Sequence, residues 1–136
     1  MRVLVDTPIW SEFLRRTTPE PRVRIALESL IEGGDSILLG PIRQEILTGV
    51  RTQEQFRRLR NALSAFPDQP IRTSDYEVAA EMSNECRASG IQGSNTDFLI
   101  CAISRRLSAR IFTLDKDFTL FARFLGVEQY EPNVEP

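Results

Sequence analysis

Residues 3–8 read VLVDTP and set the expectation for the whole fold. Three apolar residues run without alternation into an acid, which is typical of a strand buried on both faces in the middle of a parallel sheet. Asp6 then lies at the carboxyl end of that strand, the edge at which open α/β sheets bind ligands. Thr7 and Pro8 favour a helix directly afterwards, so Asp6 or Thr7 could equally be its N-cap.

Strands and helices alternate along the rest of the chain, which predicts an α/β sandwich with a mostly parallel sheet. Further strands are predicted at 36–39 and 110–114, with an edge strand at 127–130 before an acidic tail and an edge-like run at 71–72. Helices are predicted at 7–15, 20–32, 41–49, 52–65, 74–89, 95–107 and 117–125.

Three features of these helices carry specific expectations. The first half of helix 95–107 is apolar nearly all round, so this helix should be central. Ser74 and Glu77 have the spacing of a capping box that starts helix 74–89. In helix 52–65 the apolar side chains, Phe56 among them, should point inward and the arginines outward.

The composition is that of a soluble globular protein. The chain has 136 residues, 41% hydrophobic and 26% charged, and fits one domain over 1–136. It has no apolar run that could cross a bilayer and no signal-peptide pattern, so we expect a cytoplasmic protein without a membrane partner. Cys86 and Cys101 lie among apolar neighbours in helical patterns and should be buried and reduced.

The formal net charge of −2 argues against a protein that holds nucleic acid by overall attraction. The distribution is more informative, because every basic residue except Lys116 is an arginine and arginines 51, 57, 58 and 60 crowd one segment. A guanidinium group suits phosphate, but a solvated helix face is the explanation that we favour for such a cluster. Two bound Mg²⁺ ions would make the net charge positive, so RNA remains a possible substrate.

Four acidic residues are expected to meet at one edge of the sheet. Asp6 follows the first strand and Asp115 the third, while Asp97 opens the apolar helix. Glu45 joins them if its helix begins at the same edge, where it would be partly shielded beside apolar neighbours. Each residue also has a local explanation: Asp97 could complete a capping pair with Ser94, Glu45 could be a surface residue, and Asp115 could belong to a turn.

The chemistry open to such a cluster is limited by the absence of histidine. Imidazole base catalysis, a Ser-His-Asp triad and His-ligated zinc are all excluded. Carboxylates in one cleft repel one another unless a cation neutralises them. Oxygen ligands favour Mg²⁺ or Mn²⁺, which can activate a water and stabilise the leaving oxygen of a phosphodiester.

The sequence resembles, in the order and spacing of its motifs, the PIN-domain ribonucleases, and most closely the VapC-type toxins of bacterial toxin-antitoxin modules. The motifs are VLVDT at 3–7 with Trp10, EIL at 45–47 with Gly49, RASG at 87–90, DFLICA at 97–102 and TLDKDF at 113–118. The resemblance implies a three-layer PIN fold, Mg²⁺-dependent endoribonuclease activity, a cognate antitoxin that blocks the site, and a homodimer.

The resemblance also implies roles for single residues. Asp6 and Asp97 would be the principal metal ligands, Asp115 would complete the set, and Glu45 would position or deprotonate the attacking water. Three further residues match supporting positions of the family: Asp117, Thr7 and Thr113. Asp117 lies directly before the last helix, and we expect it to serve mainly as the N-cap of that helix.

Other functions fit parts of the sequence. A PIN nuclease in housekeeping RNA processing would carry the same acids, and a small DNA-binding protein encoded directly upstream would favour the toxin instead. A non-catalytic PIN-like binding domain would not need all four acids. A phospho-acceptor receiver would need an acid on its middle strand, where this chain has Gly40. Phosphate-binding loops of the G-x-x-x-x-G-K-[ST] and G-x-G-x-x-G types are absent from the sequence.

An antitoxin helix could lie in a groove between the first helix and the helices at 41–65. The apolar stripe of the first helix would then line the groove through Ile9, Trp10, Phe13 and Leu14. The alternative is that Trp10 and Phe13 belong to the core, which we expect especially for Phe13.

Overall fold

The centre of the protein is a sheet of three parallel strands, described here from a computed structural model that covers residues 1–132. The strands are β1 (Val3–Val5), β2 (Ser36–Ile37) and β3 (Arg110–Phe112), in the order β2-β1-β3. All side chains of β1 are fully buried, as the unbroken apolar run predicted. The Asp6 N–H donates to the Phe112 carbonyl at 2.9 Å, which fixes Asp6 at the carboxyl edge of the sheet.

Helices cover the sheet, and their bounds agree closely with the pattern of apolar and capping residues. They are α1 (Thr7–Arg15), α2 (Pro21–Glu32), α3 (Gly40–Leu47), α4 (Gln53–Leu63), α5 (Thr73–Ala88), α6 (Asn95–Leu107) and α7 (Asp117–Leu125). Helix α1 packs against α2, α3 and α4, whereas α5 packs against α6 and α7. The prediction of an α/β fold with a parallel sheet between helices is therefore confirmed.

Helix α6 is the central helix that the sequence predicted. Its residues 98–104 are all buried, and it packs along α5 and against β3. Cys86 of α5 and Cys101 of α6 are both buried free thiols. Burial raises the pKa of Cys101 to about 12, so this thiol stays protonated and unreactive at neutral pH.

The edges of the sheet differ from the prediction. Strand β2 ends at Ile37, and Leu38 makes only a single bridge to Asp68, while the run at 71–72 makes no strand. The predicted edge strand at 127–130 is likewise reduced to one bridge between Ile111 and Gln129. Prolines at 67 and 70 lack the N–H group that a longer ladder would require on the first of these edges.

The capping box predicted from Ser74 and Glu77 is wrong. Helix α5 begins one residue earlier, and the carboxylate that caps it is Asp75, which accepts the Arg72 N–H at 2.8 Å. Asp75 is 3% exposed and also accepts two hydrogen bonds from Arg106 of α6, at 2.7 and 2.8 Å. The acid at the start of α5 is therefore Asp75, which also pairs with Arg106, and the local spacing of Ser74 and Glu77 did not predict it.

The sequence left open whether Trp10 lines a groove or belongs to the core, and it predicted that Phe13 and Phe56 point inward. Trp10 is fully buried, donates its indole N–H to the Val5 carbonyl at 3.1 Å and packs edge-on against Phe66. It therefore does not line an exposed groove, whereas Phe13 is only half-buried. Phe56 of α4, expected to point inward, is 38% exposed.

Two further findings concern the chain as a whole. Among the described residues, none of the helices combines the length and apolar character that crossing a membrane requires. Residues 133–136, which hold most of the predicted acidic tail, lie outside the described part of the chain.

Candidate active site

Asp6 occupies the end of the central strand and is 5% exposed. Its Oδ1 accepts the N–H of Thr7 at 2.8 Å, and its Oδ2 accepts the hydroxyl of Thr113 at 2.7 Å. The first contact comes from the start of α1 and the second from the residue after β3. Two hydrogen bonds, one from each of these segments, therefore fix the buried Asp6 carboxylate at the edge of the sheet.

Glu45 reaches the same edge from helix α3. Its Oε1 accepts the Thr7 hydroxyl at 2.6 Å, so Thr7 contacts Asp6 through its N–H and Glu45 through its side chain. The expectation that Glu45 is partly shielded is wrong, because the residue is exposed. Ile42 and Ile46 take the buried face of α3 and leave the Glu45 carboxylate facing solvent.

Asp97 forms the capping pair with Ser94 that its spacing suggested. The Asp97 N–H donates to the Ser94 hydroxyl at 3.1 Å, and the Ser94 N–H donates to Asp97 Oδ2 at 2.9 Å. The second oxygen, Oδ1, makes no hydrogen bond within residues 1–132. Capping therefore orients the half-buried carboxylate and leaves one oxygen for a ligand, so the local and the functional explanations are compatible.

Asp115 stands between the end of β3 and helix α7. Its N–H donates to the Thr113 hydroxyl at 3.0 Å, and its Oδ1 accepts the N–H of Asp117 at 2.9 Å. The expectation that Asp117 caps α7 is wrong, because Asp117 is the first helical residue and its side chain is exposed. The N-cap position of α7 is Lys116, which makes no side-chain capping hydrogen bond. Thr113 in turn contacts both Asp6 and Asp115.

The four carboxylates, Asp6, Glu45, Asp97 and Asp115, influence one another electrostatically. The pKa of Asp6 is raised to about 6: burial is the main cause, the charges of Asp97 and Glu45 add to the rise, and the hydrogen bonds from Thr113 and Thr7 oppose it. Burial also raises the pKa of Asp97, to which the charges of Asp115 and Glu45 add. Crowded acids with raised pKa values are typical of a site that binds a cation.

The donor set fits a hard divalent cation in its chemistry, since every candidate ligand is a carboxylate or hydroxyl oxygen. As the side chains stand, residues 1–132 contain no group of three or more acidic or thiol side chains arranged to hold a metal ion. Each acid is held by a donor of its own: Asp6 by Thr113, Glu45 by Thr7, Asp97 by Ser94 and Asp115 by the Asp117 N–H.

The raised pKa of Asp6 predicts a stabilising substitution. The native carboxyl binds its proton up to about pH 6, against 3.8 in the unfolded chain, so the stability of the metal-free protein falls as pH rises between these values. Asp6→Asn removes the buried charge; its amide oxygen can still accept the Thr7 N–H, and its NH2 group can donate to the Thr113 hydroxyl oxygen, which reverses the direction of that hydrogen bond. We expect it to raise the free energy of unfolding in EDTA at pH 7 by about 1 to 3 kcal/mol.

Thermal unfolding of wild type and Asp6→Asn across this pH range in EDTA tests the prediction. The difference in the free energy of unfolding between the two proteins should vanish near pH 4, where the Asp6 carboxyl of the native wild type is protonated. A variant less stable than wild type at pH 7 would show that the charged form of Asp6 is well solvated or well paired, which contradicts the electrostatic description.

One feature beside the acids was not predicted from the sequence. A cavity of about 490 Å³ lies between α5, the first turn of α6 and the start of α3, and the first turn of α6 carries Asp97. The available signal was the face of α5 that carries Tyr76, Ala80, Ser83 and Arg87 at helical spacing, with small residues between an aromatic ring and a cation.

Comparison with known proteins identifies relatives over nearly the full length. Residues 3–123 match the PIN domain family. The chain is 28% identical over 128 residues to VapC ribonuclease Mb1587 of Mycobacterium bovis and to ribonuclease VapC11 of Mycobacterium tuberculosis. These matches cover 93% of this chain and 96% of each relative.

Solved structures show the same fold. FitAcB from Neisseria gonorrhoeae superposes with a TM-score of 0.78 at 23% identity, covering 96% of this chain and 97% of that one. VapBC2 from Rickettsia felis, bound to a DNA fragment from its promoter, superposes with a TM-score of 0.72 at 18% identity, covering 96% and 98%. At these identities the likeness establishes the fold.

Proposed function

This chain belongs to the PIN domain family, and from that premise we propose that it is a metal-dependent endoribonuclease. It hydrolyses RNA phosphodiester bonds with Mg²⁺ or Mn²⁺ and acts as the toxin of a type II toxin-antitoxin module. The observation that carries the proposal is the linked set of acids at the sheet edge, where Thr7 contacts Asp6 and Glu45 while Thr113 contacts Asp6 and Asp115.

The residues of this chain have distinct proposed roles. Asp6, Asp97 and Asp115 would hold the metal, which when bound neutralises the carboxylates, polarises the phosphate and lowers the pKa of a bound water. Glu45 accepts the proton of the attacking water and can release it to solvent, since its side chain is exposed. Attack by the water oxygen forms a new bond to phosphorus and breaks the bond to the leaving oxygen, which takes up a proton from solvent water.

The two threonines keep the acids in position during these steps. The Thr7 hydroxyl orients Glu45, and the Thr113 hydroxyl orients Asp6. Each hydroxyl is fixed by the backbone at the end of a buried strand, so the carboxylates need little reorganisation. Asp117, exposed beside Asp115, has a supporting role that adds negative charge at the rim of the site.

Cleavage of total cellular RNA by the purified chain, freed of any bound partner, tests this function. We expect discrete products with Mg²⁺ and none with EDTA, because charge neutralisation at the scissile phosphate needs the cation. Products that persist unchanged in EDTA would contradict the metal-dependent mechanism. A folded chain that leaves every RNA intact would contradict the nuclease and favour a PIN domain that only binds.

The toxin role adds partner proteins. One solved structure that shares the fold is a toxin-antitoxin complex from Klebsiella pneumoniae, and we propose a cognate antitoxin for this chain as well. The half-buried Phe13 and Leu14 of α1 and the exposed Phe56 of α4 offer apolar contacts to an antitoxin helix. We also propose a homodimer, which light scattering of the purified chain tests.

Housekeeping RNA processing remains the alternative to the toxin role. Growth arrest on expression, relieved by co-expression of a small protein encoded beside this chain, favours the toxin. Unimpaired growth with active enzyme favours processing.

A further inference from the structure

A groove along one side of helix α4 concentrates positive charge. Three arginines line it, Arg51, Arg57 and Arg60, and its volume is about 500 Å³. All three side chains are exposed, none of them forms an ion pair within residues 1–132, and the lining contains no acidic residue. In a protein whose formal net charge is −2, this groove is a local region of positive potential that attracts anions.

An exposed aromatic ring lies among these arginines. Phe56 is 38% exposed and shares a face of α4 with Arg57 and Arg60, which follow it at helical spacing. The sequence favoured a solvated helix face for the arginine cluster, but such a face requires neither a groove nor an exposed ring. Arginines around an aromatic side chain are typical of a surface that binds a partner protein.

Phe56 also borders a second groove, which lies between α3 and α4 and has a volume of about 450 Å³. Leu47 contributes a half-buried apolar side chain to this second groove. Asp68 contributes a negative charge, paired with Arg43 at 2.8 Å. Because both grooves include Phe56, a bound chain can run from the arginines past the ring to Leu47.

We propose that the arginine groove, defined by Arg51, Phe56, Arg57 and Arg60, binds an acidic peptide segment of a partner protein. Carboxylates of the segment pair with the three guanidinium groups, and an apolar side chain of the segment packs on the Phe56 ring. The inference deepens the proposed function and rests on it for the identity of the partner, the cognate antitoxin. The affinity of the groove for an acidic peptide does not depend on that identity.

A peptide fits this surface better than an RNA backbone for two reasons. A peptide can place acids at the arginines and apolar side chains at Phe56 and Leu47, whereas an RNA backbone carries a charge at every phosphate. An RNA strand that continues into the second groove meets the Asp68 carboxylate, and the net charge of −2 opposes it along its whole length. A short acidic segment responds mainly to the charges next to it, because salt screens the more distant ones.

Binding of synthetic peptides to the full chain tests the proposal. Fluorescence anisotropy compares a short labelled peptide of glutamate and leucine residues with its counterpart in which glutamine replaces glutamate. We expect wild type to prefer the glutamate peptide, and added salt to reduce that preference, since exposed ion pairs are screened. Arg51→Ala, Arg57→Ala and Arg60→Ala combined should weaken binding of the glutamate peptide about 8- to 60-fold, because each exposed ion pair contributes about 2- to 4-fold.

A second triple variant has the same net charge but an intact groove. Arg22→Ala, Arg87→Ala and Arg123→Ala combined remove exposed arginines of α2, α5 and α7 that lie outside the groove, and this variant should bind the glutamate peptide like wild type. Phe56→Ala should weaken binding of the peptide that contains leucine, but not of a peptide with serine in its place. Because every substituted side chain is exposed, all variants should keep the wild-type melting temperature.

Each outcome decides the proposal independently of the nuclease. Binding of the glutamate peptide that only the groove variant loses supports the arginine groove, even if wild type cleaves no RNA. Equal binding by wild type and the groove variant overturns it, as does a wild type without preference for the glutamate peptide, even if wild type is an active nuclease. The proposal is also wrong if the groove variant keeps its affinity for the peptide and instead loses affinity for single-stranded RNA in EDTA, or loses self-association in light scattering.

Discussion

Asp97→Asn should lower the rate of RNA cleavage at least about a hundredfold, because it removes one charged metal ligand from the site. The substitution is mild for the fold: an asparagine amide oxygen can still accept the Ser94 N–H that now bonds Asp97 Oδ2 at 2.9 Å. Helix α6 therefore keeps its cap. Loss of activity can then be attributed to the missing charge.

Two measurements accompany the cleavage assay. Mg²⁺ should raise the melting temperature of wild type, as any ligand of the native state does, and should raise that of Asp97→Asn much less. Glu81→Gln, an exposed carboxylate of α5 outside the site, serves as the control and should match wild type in both assays. Full activity in Asp97→Asn would remove this residue from the catalytic set.

Arg106→Ala should lower the free energy of unfolding by about 3 to 5 kcal/mol, the usual effect of leaving a buried charge without its partner. Asp75 is 3% exposed and accepts two hydrogen bonds from Arg106, whose guanidinium holds the pKa of that carboxyl below its usual range. Without Arg106, the carboxylate keeps only the Arg72 N–H. The pair also ties α5 to α6, the two helices that form the cavity.

Chemical denaturation of three variants checks this prediction. Arg106→Lys keeps the charge but not the paired geometry and should lose an intermediate amount of stability. Arg110→Ala breaks a solvent-exposed ion pair with Glu128 and should lose no more than about 1 kcal/mol. Equal losses for Arg106→Ala and Arg110→Ala would mean that the Asp75 site is as well hydrated as the surface.

The pair has a pH dependence opposite to that of Asp6. A carboxyl whose pKa is lowered on folding stabilises the native state above its unfolded pKa, and this contribution disappears as pH falls through the folded pKa. The free energy of unfolding of wild type should therefore fall in acid as the Asp75 carboxylate becomes protonated. In Arg106→Ala this contribution to the fall should be missing, because the ion pair is absent at every pH.

The order of the elements and the location of the acids along the fold can be predicted from the amino-acid sequence. The unbroken apolar run of β1 requires burial on both faces, and that requirement alone predicts a central parallel strand with Asp6 at its carboxyl edge. Helices α1 and α6 follow from local signals, namely a proline in the first turn and the Ser94 cap. Such signals act within a few residues, so they can be recognised from the sequence alone.

Which side chains are buried and which stay exposed depends, in contrast, on contacts between residues that are far apart in the sequence. Asp75 became the capping acid because Arg106, distant in sequence, pairs with it, and Phe56 stays exposed because Leu59 and Leu63 fill the buried face of α4. The Tyr76 cavity exists because small residues of α5 meet the first turn of α6. These outcomes depend on packing between segments that are far apart in the chain. Local periodicity shows which face of a helix is apolar, but it does not show which distant residue packs against that face.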